Sequence, residues 1–125
     1  MLSVNVLSPI IAAQEAVKGF KQLPATASRT FILTGNLLNT EARPYVLIYG
    51  MTKSAIAHIV KGLHDVYEKQ GLQFYYADER QADGGPSIPV SGPAAGAAYT
   101  ELADRKEHGP WYWTFVHGKG YVKFN

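Results

Sequence analysis

The feature that most restricts the fold of this chain is a repeated change of period: stretches with helical spacing take turns with short runs of strand-forming residues. Across residues 4–23 the apolar side chains Val6, Leu7, Ile10, Ile11, Ala13, Val17 and Phe20 recur at three- and four-residue steps, Lys18 and Lys21 sit near the end, and Pro24 closes the segment. That spacing predicts a first helix. "TFILTGN" is a compact strand-like run stopped by Gly35 and Asn36. A second helical stretch sets Ala55, Ile56, Ile59, Val60, Leu63, Val66 and Tyr67 on one side, with Gly71 as its stop signal. "LQFYYA" reads as a second strand. Beyond Ala77, "DERQADGGPSIPVSGPAAG" is too rich in Gly, Pro, Ser and Asp for regular structure and predicts a long functional or partner-contacting loop. "AAGAAYTELADRK" supports a short helix, and "GPWYWTFVHGKGYVKF" a last strand, a turn at "HGKG" and a short extension. Helices inserted between successive strands act as crossovers, so the expectation is an α/β fold with a parallel sheet flanked by helices.

Composition narrows the function classes. The 125 residues suit a single domain, and 46% hydrophobic with 18% charged residues describes an ordinary globular chain. Cysteine is absent, which removes disulfides and thiolate zinc sites. A net charge of +2 from scattered groups leaves no nucleic-acid footprint. The start, "MLSVNVLSPIIAAQEAV", lacks a basic leading segment, and no apolar run approaches bilayer length, so a cytoplasmic protein without membrane contact is expected. His58 and His64 are six apart on the second helix, which is not metal-binding spacing, so both are expected at the solvated edge of the core and no metal site is expected. "HGKGY" precedes a strand-like segment and reads as a turn, and Trp111, Tyr112, Trp113 and Phe115 as a packing cluster.

The chemistry-bearing stretch is "PYVLIYGMTKSA", where Tyr49 and Lys53 open the second helix directly after a strand and turn. Residues four apart share a helix face, so the ammonium can stand beside the phenol and favour its phenolate. Such a phenol can exchange a proton with an alcohol or carbonyl oxygen. A strand, a turn and Tyr-x-x-x-Lys at the head of a long helix, preceded by a helix carrying Asn5 in "SVNVLSP", resembles the C-terminal half of the short-chain dehydrogenase/reductase family. The resemblance implies a partial, second-half Rossmann-like fold over residues 1–125 and an oxidoreductase that uses NAD or NADP. It makes Tyr49 the acid/base, Lys53 its activator and ribose contact, and Asn5 part of a proton relay.

The family's serine, thirteen residues ahead of the tyrosine, falls on Asn36, with Thr34 as a nearby hydroxyl. From the residues themselves, Asn5 also fits a helix cap, and Asn36 a turn residue with an unusual backbone angle. The family also implies a homodimer through a four-helix bundle of helices one and two, burying Ile10, Val17, Ile56, Ile59 or Leu63 between subunits. Two departures bear on activity. "ADERQADGG" stands where the family carries a Pro-Gly element, and no glycine-rich turn joins a strand to a helix anywhere in the chain. The chain is therefore expected to lack the N-terminal nucleotide-binding half and to bind neither NADH nor NADPH alone. Two functions stand side by side: a short-chain-type oxidoreductase, or a non-catalytic remnant acting as a dimerising, ligand- or partner-binding module.

Overall fold

The computed structural model describes residues 1–124. A π-helical turn, Ser3–Leu7, runs directly into α1, Ser8–Phe20, and β1 follows at Thr30–Gly35. Two 3-10 turns, Leu37–Asn39 and Pro44–Val46, lead into the long helix α2, Leu47–Tyr67. After a further 3-10 turn, Gly71 takes a left-handed backbone (φ 78°), as its place as a stop signal requires. Then come β2 (Gln73–Arg80), α3 (Gly92–Asp104), β3 (Tyr112–Val116) and the two-residue β4 (Gly120–Tyr121). Ser91 caps α3 by accepting the Ala94 N–H at 3.1 Å, and Pro93 occupies the first turn.

The four strands lie in the order β1-β2-β3-β4. β1 pairs parallel to β2 from Thr30 opposite Gln73 to Gly35 opposite Asp78, and β2 pairs parallel to β3 from Tyr76 opposite Tyr112 to Arg80 opposite Val116. The α/β expectation therefore holds, with two corrections. β4 is antiparallel to β3, because residues 117–119 are too few for a crossover and the positive φ of Gly118 and Gly120 turns the chain straight back. The second strand also continues through Asp78, Glu79 and Arg80, which the sequence had assigned to the loop; the Arg80 guanidinium donates from Nε to Asp78 Oδ2 at 2.8 Å and makes the charges tolerable inside.

β2 is covered on both faces, which explains its unbroken apolar run. Phe74 and Tyr76 pack with Val17 of α1 and Ile56, Ala57 and Val60 of α2, while Tyr75 and Ala77 pack with Ala94, Ala98 and Leu102 of α3 and with Trp113 and Phe115. Strand alternation splits the expected aromatic cluster: along β3, Trp113 and Phe115 join the α3 side and Tyr112 the other, where Trp111, just ahead of the strand, also packs. The same core revises the residues foreseen between subunits. Val17 and Ile56 are buried within this chain, with Ile10, Ile59 and Leu63 packed against them, so the large apolar side chains left exposed on α1 and α2 are Ile11, Leu47, Ile48, Met51 and Val66, with Leu7 on the π-helical turn ahead of α1. Among the described residues, no helix is long and apolar enough to cross a membrane.

Candidate active site

The head of α2 is stitched to the end of β1. Gly50 is buried where an added Cβ would stand 3.3 Å from the Leu38 carbonyl oxygen, and Ser54 Oγ donates to the Asn39 carbonyl at 2.7 Å. Thr52, fully buried, donates back to the Tyr49 carbonyl at 2.6 Å. On that anchored turn Tyr49 and Lys53 are both half-buried, and Lys53 Nζ lies 5.2 Å from the centre of the Tyr49 ring. The geometry is a cation against an aromatic face.

Asn36 follows β1 in an extended backbone (φ −153°), so it does not have the unusual angle expected of it; Gly35 ahead of it is the residue under constraint. A Cβ at Gly35 would come within 2.0 Å of the Tyr76 ring, which passes beneath the strand end. The Tyr76 hydroxyl then holds Asn36 at both backbone groups, accepting its N–H at 3.0 Å and donating to its carbonyl at 2.7 Å. Burial pushes the Tyr76 phenol well above its ordinary range, and Tyr49 is near enough for its charge to add to that rise. The side chain of Asn36 is spent as a cap, with Oδ1 accepting the Leu38 N–H at 3.0 Å.

Thr34 meets a partner that the sequence did not foresee, and Asn5 is not the helix cap that its residue type allowed. The Thr34 hydroxyl faces the α3 layer and lies 2.5 Å from the Tyr99 hydroxyl, because alternation along β1 sends Leu33 to the α1 and α2 side and Thr34 to the opposite one. Asn5 sits within the π-helical turn, which packs against α2. It is not a helix cap, since Leu2 and Leu7 hold the cap positions, neither with a side-chain hydrogen bond.

A cavity of about 600 Å³ opens at the C-terminal ends of β1 and β2, where open α/β sheets hold their ligands. Thr34, Asn36, Ala77, Glu79, Ala95, Tyr99 and Phe115 line it, Tyr45 and Val46 stand on one rim, and Ile88 and Val90 stand on the other. Tyr49 and Lys53 are not part of its lining. The structure thus brings Tyr49 to Lys53 and sets Asn36 and Thr34 on the cavity, with Tyr76 as the link between Asn36 and the neighbourhood of Tyr49.

Sequence reasoning missed the polar group beside this cavity. Arg80 donates to Asp78, to the Gly84 carbonyl at 2.8 Å and to the Tyr112 hydroxyl at 2.8 Å. That hydroxyl is 2.9 Å from both Asp78 Oδ2 and Asn39 Oδ1, which share its single proton. Burial pushes the Asp78 carboxyl up against the pull of Arg80, and pushes the Tyr112 phenol up to about 12. On the opposite face of β2, Glu79 accepts the Ser91 N–H at 2.9 Å and a hydrogen bond from Ser87, tying the strap of residues 81–91 to the sheet. The only sequence signal was Asp-x-Arg at a strand end, two positions that share a face.

The described residues do not fit the pyrophosphate of a dinucleotide. β1 leads into 3-10 turns and β2 into the strap, neither opening a helix through a glycine-rich turn, and the Ala94 amide at the head of α3 is taken by Ser91.

The chain is 44% identical over 124 residues to a short chain dehydrogenase/reductase of Cryptosporiopsis sp. (strain 8999), an alignment covering 98% of this chain and 50% of that protein. The chain therefore spans about half the length of the curated relative it matches. No family model and no solved structure matches it.

Proposed function

We propose that this chain, part of a short-chain dehydrogenase/reductase, is the half of an oxidoreductase that carries the acid/base pair and one wall of the ligand site. The lineage rests on the 44% identity. The observation that carries the catalytic reading is the approach of Lys53 Nζ to the Tyr49 ring at 5.2 Å on an anchored helix head. In this reading Tyr49 passes a proton between its hydroxyl and the oxygen of an alcohol or carbonyl substrate. Lys53 supplies the neighbouring positive charge, Asn36 holds the turn between the pair and the cavity, and Asn5 takes the place in the proton relay that the family gives it. By family, NAD or NADP would supply the redox equivalent, its pyrophosphate held by residues other than those described.

A second reading is favoured by the apolar side chains left exposed along the first two helices: a module that dimerises and binds a ligand without turnover. A homodimer here would use exposed apolar residues such as Ile11, Ile48 and Met51 of α1 and α2, with Leu7 of the preceding π-helical turn.

The test assays ketone reduction with NADH and NADPH by this chain alone and by this chain mixed with the half of the Cryptosporiopsis relative that it does not match. The expected result is turnover only in the mixture, abolished by Tyr49→Phe while cofactor binding persists. Full activity of the Tyr49→Phe mixture would overturn the acid/base role, and a mixture that binds cofactor without turnover would establish the second reading.

A further inference from the structure

The cavity at the strand ends has a rim that water alone does not explain. Tyr45 is 101% exposed and Ile88 and Val90 are 78% and 76% exposed, yet all three stand around one concave space whose floor includes Phe115 and Ala95. Apolar residues gathered about a hollow mark a ligand-binding groove. A convex protein surface would not enter a hollow of about 600 Å³, whereas a small molecule of a few rings would fill it.

The charges in the lining already have partners within the protein. Arg43 is paired with Glu41 at 2.8 Å, Asp78 with Arg80, and Glu79 with Ser91 and Ser87. The second carboxylate oxygen of Asp78 has no partner but is shut off from the cavity surface, so it is not offered to a ligand. Among the lining hydroxyls, what is offered is the pair Thr34 and Tyr99, 2.5 Å apart. Two hydroxyls carry two protons, and their mutual bond uses one. The pair keeps one free donor and spare lone pairs, which suits a single uncharged hydroxyl or carbonyl oxygen. Beside it Tyr99 and Phe115 meet edge to face with centroids 6.5 Å apart, a wall that offers ring faces and edges to another ring.

We infer that the cavity selects an uncharged, ring-bearing apolar molecule with one hydroxyl or carbonyl, and that the Thr34–Tyr99 hydroxyl pair is its polar recognition element. This goes beyond the proposed function by naming a ligand class for the cavity, and it rests on the strand ends being a ligand site, not on turnover. Tyr49 is absent from the cavity wall, so recognition by the hydroxyl pair and proton transfer by Tyr49 are separable.

The experiment measures binding of 2-naphthol, naphthalene, 2-naphthoate and 1-octanol to the 125-residue chain without cofactor, by calorimetry and by amide shift mapping. The expected order puts 2-naphthol first, naphthalene about tenfold weaker, and 2-naphthoate and 1-octanol weaker again. Tyr99→Phe should bring 2-naphthol to within about threefold of naphthalene while leaving naphthalene itself unchanged. Thr34→Val, on the other member of the pair, should act in the same direction, and Ala95→Leu, which fills the cavity, should weaken both. The inference is overturned if 2-naphthoate or 1-octanol binds as tightly as 2-naphthol, if shifts avoid Thr34, Tyr99 and Phe115, or if both hydroxyl variants keep the preference for 2-naphthol. Probe binding with turnover that ignores Tyr49→Phe would sink the catalytic reading alone; turnover that needs Tyr49 in a chain that ignores the probes would sink this inference alone.

Discussion

The two faces of the sheet are built on the same strand and end up unlike. Toward α1 and α2, β2 presents Phe74 and Tyr76 to Ile56, Val60 and Val17, large side chains against large ones, and the interface is closed. Toward α3 it presents Tyr75 and Ala77 to a helix whose sequence is "GPAAGAAYTELAD", where Ala94 and Ala98 make the contact and only Tyr99 and Leu102 have bulk. A helix face of alanine and glycine packs tightly to the sheet at its middle and leaves room at its first turns, which is where the cavity lies. One face of the molecule spends its side-chain volume on stability, and the other withholds it at the place a ligand would enter.

The largest effect that tests this contrast is on the closed face. Phe74→Ala empties a site with no exposed surface, and its unfolding midpoint in urea should report a loss of about 3–5 kcal/mol. A loss no greater than that of an exposed substitution would mean that the α1 and α2 face is not packed as described. A smaller effect concerns the base of that face. His108 Nε2 accepts the Phe74 N–H at 2.9 Å and lies 3.0 Å from His64 Nδ1, while its own Nδ1 is 2.5 Å from the Gly109 carbonyl oxygen. Both contacts at Nε2 need an unprotonated nitrogen, so His64 is a bonded residue of the core edge, while His58 stays exposed.

Burial holds the His108 pKa below its ordinary 6.5, with His64 also lowering it. The unfolded chain then takes up the proton first as pH falls. The contribution to stability is complete above 6.5 and declines as pH drops from 6.5 toward the folded value. Urea midpoints of the native chain should fall across that window, and those of His108→Gln should fall less. Equal slopes would remove His108 from the account. The smallest effect belongs to the hollow face: Ala95→Leu should change stability by no more than about 0.5 kcal/mol, since its side chain extends into space already open. A loss as large as that of Phe74→Ala would show that the two faces do not differ.

Much of the architecture was legible because its signals are local. Helical and strand periods are properties of a dozen neighbouring residues, so α1, α2, α3 and β1 could be read from spacing and stop signals such as Gly71. Tyr49 and Lys53 were legible for the same reason, as a helix sets positions four apart on one face whatever surrounds it. Where the reading went astray, a residue's local character was overruled from a distance. Asp78 and Arg80 looked like loop residues, and a hydrogen-bonded pair with Tyr112, 34 positions from Asp78, drew them into a strand.

The chain by itself determined the order of its elements and the pairing of Tyr49 with Lys53. Only the tertiary structure decided that Thr34 meets Tyr99 across 65 positions, that His64 meets His108 across 44, and that Tyr76 reaches under Gly35 to hold Asn36. Those contacts depend on the parallel register of β1 with β2 and on the side of the sheet each helix covers. Neither is written in any one segment, because register and layer are fixed by burying several distant apolar faces at once.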